Sequence, residues 1–210
     1  DIREWKWVSE DGTRSVSVVT AAKYGRATQF DKDVLLFIIS QLVAAQNAGL
    51  TISKTVRFTA YNLLKATARN TRGDDYNRLK DSFNRLSGTR LTTEIKTGSQ
   101  KIASGFGLID RWEIIEKSET NNKMIAIEAT LSDWTFNSVK SNEVLTLHPG
   151  YYKLRKPLER RLYEIARKHC GHQRSFKIGL EILMKKAGVI ELKKKFRSAL
   201  RTIIKSNSIP

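Results

Sequence analysis

Near its C-terminus the chain reads Leu192-Lys193-Lys194-Lys195-Phe196-Arg197-Ser198-Ala199-Leu200-Arg201-Thr202-Ile203-Ile204-Lys205. Leu192, Phe196, Leu200, Ile203 and Ile204 recur at three- and four-residue spacing, which predicts a helix with one buried face. Lys194, Arg197, Ser198, Arg201 and Lys205 fall on the opposite side. A helix fits the major groove, where an Arg or Lys side chain donates paired hydrogen bonds to guanine O6 and N7, each worth about 1 to 3 kcal/mol of base discrimination. Arg197 and Arg201 are expected to read bases, while Lys193 and Lys195, flanking the stripe, are expected to meet phosphates. The plain alternative is a solvated basic face. Against it stand a preceding helix that ends in a glycine turn at Gly188 and a strong local excess of charge. Residues 151–210 hold 17 Lys and Arg against 4 Asp and Glu, a net +13 of the chain's +17. Such an imbalance favours a polyanion, because binding releases the counterions condensed on phosphates.

A second, weaker set lies earlier. The segment from Asp74 to Leu86 has Tyr76, Leu79, Phe83 and Leu86 as an apolar stripe and should expose Asn77, Arg78, Ser82 and Arg85. The same helix carries Asp74, Asp75 and Asp81, which phosphates repel. Behind it, Arg90 begins an extended stretch, and Lys96 and Lys101 flank a loop at 97–100. Phosphate and minor-groove contacts, or protein contacts, are expected there, with less reading of sequence.

Other chemistry finds no support. His169-Cys170-Gly171-His172 offers three donors within four residues and no distant fourth beyond His148, so no metal site is expected. Cys170 is read as a small apolar residue. No His-x-His pair stands near a tyrosine nucleophile, no Gly-x-x-x-x-Gly-Lys-Ser/Thr phosphate loop is present, and Tyr151, Tyr152 and Arg155 lack the pattern of a tyrosine recombinase. The expectation is therefore no catalytic residue, no cofactor and no enzyme. Asp31 with Asp33 and Asp74 with Asp75 stand at helix starts, where capping and the helix dipole account for them.

The elements that must position these residues follow from periodicity. A length of 210 residues allows one large domain or two small ones. With a mean hydropathy of −0.41 and no long apolar run, no membrane-spanning helix is expected. A single cysteine and the lack of a signal-like start favour the cytoplasm. Residues 5–8 and 14–20 alternate around Glu10-Asp11-Gly12 as a β-hairpin. Its Trp5 and Trp7 are expected in a core, with base stacking as the alternative. Helices follow over 31–48, about 60–68 and 74–86, the first with Leu35, Leu36, Ile39, Leu42 and Val43 as its stripe. Strands are expected at 90–95, 105–115 and 123–129. Three helices, a strand, a loop and a strand make a winged helix, with the loop at 97–100 as the wing. After a short helix at 132–139 and an extended stretch at 144–147, helices at 157–170, 178–187 and about 190–205 repeat the three-helix pattern. The expected fold is α+β, with two winged-helix (helix-turn-helix) units in tandem at 1–141 and 142–210. The second unit stops before a wing, which is expected beyond Pro210.

Three segments carry a family resemblance: Phe30-Asp31-Lys32-Asp33-Val34-Leu35-Leu36-Phe37, Ser87-Gly88-Thr89-Arg90-Leu91-Thr92-Thr93-Glu94-Ile95, and above all the run from Tyr152-Lys153-Leu154-Arg155-Lys156-Pro157 through Arg160-Arg161-Leu162-Tyr163-Glu164 to Gly171. Together they resemble the plasmid replication initiators called replication initiator protein A, over most of the chain from about residue 15. The resemblance implies binding to repeated sequences in double-stranded DNA at a plasmid origin, opening of nearby DNA, and recruitment of the host initiator and replicative helicase machinery. In the broader class of two-winged-helix initiators it implies a C-terminal unit that reads the repeat, with Arg197 and Arg201 on the reading helix. It also implies an N-terminal unit that contacts backbone and forms a homodimer. The competing readings are a winged-helix transcription regulator, a DNA-nicking enzyme, and a non-specific architectural or RNA-binding protein.

Overall fold

Apolar residues three and four apart set the first layer of the fold. In α1 (Lys32–Asn47) they bury Val34, Leu35, Phe37, Ile38 and Leu42; in α2 (Ala60–Ala66), Leu63 and Leu64; in α3 (Gly73–Gly88), Leu79, Phe83 and Leu86. Each such side chain contributes about 1.5 to 3 kcal/mol when fully buried. The computed structural model describes residues 4–97, 100–116, 124–171 and 173–210. It divides into two units, Asp1–Glu143 and Val144–Pro210.

A three-stranded sheet closes the first core. β3 (Thr55–Phe58) pairs antiparallel with β7 (Met124–Leu131), which pairs with β6 (Ile109–Glu116). Ile109, Ile127, Ala129 and Leu131 are buried, and the Phe83 ring meets Trp112 at 5.6 Å between centroids. Three helices with a small sheet whose last two strands form a hairpin make a winged helix. The hairpin that serves as the wing is β6–β7, which corrects the expectation from sequence. Residues 117–123, between β6 and β7 in the chain, lie outside the described residues, and with them Lys123 of the expected last strand.

The hairpin expected to be the wing belongs to a second sheet. β4 (Thr89–Thr97) and β5 (Gln100–Gly107) pair with each other, β4 pairs with β2 (Arg14–Thr20), and β2 pairs with β1 (Glu4–Val8), in the order β1-β2-β4-β5. Residues 98–99 of the expected wing loop lie outside the described residues. This sheet takes β1 and β2 from ahead of α1, and its β4–β5 hairpin is inserted between α3 and the true wing. The stretch 105–115 is thus two strands rather than one, and the chain changes sheets at Gly107-Leu108. A Cβ on Gly107 would stand 3.0 Å from the Ile109 carbonyl oxygen, so a side chain at this corner would press on the backbone. Trp5 and Trp7 correct a second expectation. They lie on the edge strand β1 and remain 50% and 39% exposed, outside the core.

Two acidic residues at the start of α1 fasten the helices instead of capping them. Asp31 makes no side-chain cap to its own helix. It accepts from Arg85 Nε at 2.8 Å and Nη2 at 2.7 Å, and from Thr28 N at 2.7 Å. Buried Asp33 accepts from Arg69 Nη2 at 3.2 Å, and Arg69 also donates to the Phe30 carbonyl. Burial pushes the Asp31 carboxyl up, but hydrogen bonds from Arg85, Ser82 and Thr28 outweigh it and hold it below the usual carboxylate range. The Asp31 bond in turn raises the Arg85 guanidinium. In α3 the cap position is Arg72, without a side-chain cap, and Asp74 and Asp75 lie in the first turn, where they suit the helix dipole.

The short helix expected at 132–139 is α4 (Asp133–Lys140), and the second unit that follows is built around a 3-10 turn at Pro149–Lys153 and three helices, α5 (Pro157–Cys170), α6 (Leu180–Ala187) and α7 (Lys193–Ser206). Pro157 opens α5 at its first turn, and Gly188 ends α6 in the left-handed region at φ 69°. Among the described residues the unit has no strand, and Val144–Leu147, expected extended, joins no ladder. Its core contains Tyr151, Leu154, Leu162, Tyr163, Ile165, Phe196 and Ile203. Arg160 is only 1% exposed. Its Nε donates to the Leu154 carbonyl at 2.9 Å, and its guanidinium lies 5.0 Å over the Tyr151 ring. The Tyr151 hydroxyl donates to Glu164 Oε1 at 2.7 Å. Arg161 donates to Glu164 Oε2 at 3.3 Å and, through Nε and Nη2 at 3.1 and 3.0 Å, to the Lys186 carbonyl at the end of α6. The segment that carries the family resemblance is thus a buried tie between the 3-10 turn, α5 and the helix-turn-helix.

Candidate nucleic-acid interface

Only Phe196 and Ile203 of α7 are buried, and Leu200 is half-buried. Leu192 and Ile204, expected on the buried face, are 73% and 76% exposed. The physical reason is the width of the contact. α6 buries no residue fully, so α7 has a narrow line of neighbours rather than a broad one. At about 100° per residue, Arg197, Arg201, Lys194, Lys205 and Ser198 share one outward arc of about 100°, opposite Phe196 and Ile203. Lys193 and Lys195 fall on either side of it. All seven are exposed. Among the described residues no ion pair holds Lys194, Lys195, Arg197, Arg201 or Lys205. Lys193 pairs with Glu181 of α6, and that hydrogen bond and charge hold the Glu181 carboxyl low. The helix therefore presents unshared cations on a surface shaped for a groove, with a carboxylate only at its edge.

The sites expected in the first unit are placed differently. Arg78 is exposed and stands 3.8 Å from Asp75. Ser82 is buried and donates to the Arg78 carbonyl, and Arg85 is committed to Asp31. Their expected exposure is corrected for one reason: both face the start of α1. The outward arc of α3 holds Asp74, Asn77, Lys80, Asp81 and Asn84. Arg90 and Lys101 are exposed, but on the inserted sheet rather than on the wing, and Lys101 pairs with Glu94 at 2.8 Å. The Lys96 side chain lies outside the described residues.

The His-Cys-Gly-His stretch is put to other use. The His169 ring stacks on Phe176 at 5.1 Å, and Cys170 Sγ donates to the Gln173 carbonyl at 3.0 Å, while His172 lies outside the described residues. Among the described residues no three His, Cys, Asp or Glu side chains group as metal ligands, and no helix is long and apolar enough to cross a membrane.

Sequence reasoning passed over one basic connection. From β2 to α1 the chain turns tightly, with Ala21 N donating to the Gly88 carbonyl at 3.0 Å and Ala27 N to Thr89 Oγ1 at 3.3 Å. Between these pins, Lys23, Tyr24, Gly25 and Arg26 are exposed. Its only local signal was a glycine between two basic residues, too common to single out.

Comparison with known proteins agrees with this architecture. Over 95% of its length the chain superposes on a crystal structure of domains 2 and 3 of RctB, a selenomethionine derivative, with a TM-score of 0.73 at 14% identity, covering 76% of that chain. A second RctB domain 2–3 structure gives 0.69 at 16% identity, over 94% of this chain and 75% of that one. At such identities the likeness concerns the fold. In sequence, the chain is 38% identical over 188 residues to a "Putative replication protein" of Wigglesworthia glossinidia brevipalpis, covering 89% of this chain and 68% of the relative. The profile of replication initiator protein A matches residues 1–210, and the chain belongs to that family.

Proposed function

We propose that this chain binds repeated duplex sequences at a plasmid replication origin in the cytoplasm, through α7, without covalent chemistry. The observation that carries the reading is the arc of Lys194, Arg197, Arg201 and Lys205, four exposed cations with no ion pair among the described residues, on the third helix of a helix-turn-helix. In the major groove, Arg197 and Arg201 donate to base edges while the lysines neutralise phosphates. Origin opening and recruitment of the host initiator and helicase follow in this reading from family membership. The test is footprinting over the origin region of the chain's own plasmid. Regular protection of short repeats is expected. Strand cleavage or a covalent protein-DNA adduct would overturn the reading in favour of a nicking enzyme, and equal competition by random duplex would overturn its specificity.

The reading includes a homodimer through the inserted sheet. By register, Trp5, Val18, Leu91 and Phe106 line up across the four strands, followed by Trp7, Val16, Thr93 and Ser104. Ile102 is exposed on the same face, whose one charged side chain among the described residues is Arg14. A broad apolar face poor in charge suits a second copy of itself better than a polyanion. Sedimentation of Trp7→Asp as a monomer, against a wild-type dimer, is the expected result.

A further inference from the structure

The outward arc of α3 is nearly balanced in charge, yet the first unit holds a second surface that is not. The connection 21–27 is pinned at both ends to the junction of α3 and β4. Ala21 N bonds the Gly88 carbonyl, and Ala27 N bonds Thr89 Oγ1, which itself donates to the Arg85 carbonyl at 2.7 Å. Gly88 permits this close approach, since a Cβ there would meet Ala21 Cβ at 2.9 Å. Within the connection, Gly25 N closes a tight turn onto the Ala21 carbonyl at 3.1 Å, with Gly25 at φ 74°. Lys23, Tyr24 and Arg26 are thereby carried outward on a short, fastened loop. Arg90 stands beside it, in register with Val19 of β2 on one side and Gly107 of β5 on the other. Its Nη1 is 3.6 Å from where a Cβ on Gly107 would sit, so the guanidinium lies across a residue that has no side chain.

Among the described residues Lys23, Arg26 and Arg90 form no ion pair with a carboxylate. Cations held by backbone pins and packing rather than by an acid are ready for an anion without first breaking a bond. The loop itself is pinned at the C-terminal end of α3, whose partial negative charge favours cations. That stabilises the cluster in the free protein, but leaves its charge unmatched outward.

We propose that Lys23, Arg26 and Arg90 form a phosphate-contacting site for the backbone of duplex DNA, separate from both the α3 arc and the wing. It rests on the reading that the chain binds duplex DNA and adds contacts that are blind to sequence. Phosphate contacts appear in the salt dependence of binding, as a slope of about 0.9 per neutralised phosphate. The full chain and its Lys23→Ala/Arg26→Ala variant are titrated against a random 30-bp duplex and an origin-repeat duplex at several salt concentrations. The expected result is a slope smaller by about two on both duplexes, an unchanged preference for the repeat, and the wild-type slope in Lys23→Arg/Arg26→Lys. An unchanged slope in the alanine variant overturns the site. Loss of slope in the charge-conserving variant also overturns it, by assigning the residues to packing. The repeat-reading proposal fails separately, if the wild type prefers neither duplex, and the slopes on random DNA still decide the site.

Discussion

The two third helices are near equals in length and opposites in what they do with charge. α3 has three aspartates against Arg78, Lys80 and Arg85, a net of zero. α7 has six cations and no acid. Their arginines differ more than the counts suggest. Arg85 is turned inward and bonded twice to Asp31, so it joins α3 to the start of α1. Arg197 and Arg201 are turned outward with no partner among the described residues. An arginine on the third helix of such a unit can fasten the fold or address a ligand. Which it does depends on a carboxylate supplied from elsewhere in the chain.

The contrast can be broken from either side, and the largest effect lies in α3. Arg85→Ala leaves the buried Asp31 carboxylate without its main partner and should cost the first unit about 3 kcal/mol. All four tryptophans, Trp5, Trp7, Trp112 and Trp134, lie in that unit, so urea unfolding followed by their fluorescence measures the loss directly. DNA binding at low denaturant should keep its salt slope. In α7 the same substitution has the opposite character. Arg201→Ala should weaken binding to the preferred repeat by about 1 to 3 kcal/mol and random duplex less, with no change in the tryptophan transition. Equal losses on both duplexes would demote Arg201 to a phosphate contact. Lys194→Ala should weaken both alike and lower the salt slope by about one, which titration at three salt concentrations resolves.

The smallest effect appears in acid. Asp31 titrates lower in the folded chain than in the unfolded one, so the unfolded state takes up its proton first as the pH falls. The pair's stabilisation is complete above the ordinary carboxylate range, about pH 4. It is lost as the pH drops through the lower, folded value. Thermal melts between pH 2 and 5 should show this loss in the wild type and a shallower dependence in Arg85→Ala. Parallel curves would mean that other carboxylates govern acid unfolding.

What could be foreseen from sequence separates along the same line. The cationic arc of α7 needs only local spacing, and helical period supplied it. The role of Arg85 needs Asp31, 54 positions earlier, and no local pattern links them. In α1 the helix was legible but its face was not. Leu36, Ile39 and Val43 were expected inside, whereas Val34, Phe37 and Ile38 are, because the segment is apolar on nearly every side and period cannot choose among them. The wing was misplaced because β3 has only four residues and pairs with β7, some seventy positions away. The β4–β5 hairpin, with its stronger alternation and local pairing, took its place in the reading. The sheet change at Gly107 left no mark beyond a glycine.

The buried tie around Arg160 has a consequence for descent. The stretch from Tyr152 to Gly171 that carries the family resemblance is occupied with holding α5 against the 3-10 turn and the end of α6. These bonds end on the 3-10 turn, α5 and the last turn of α6 rather than on α7's outward arc. On the proposed reading, a lineage can exchange Arg197 or Arg201 and acquire a different DNA address while the tie, and with it the kinship visible in sequence, stays intact. On that reading ancestry and address are written in separate residues, so one can be inherited unchanged while the other diverges.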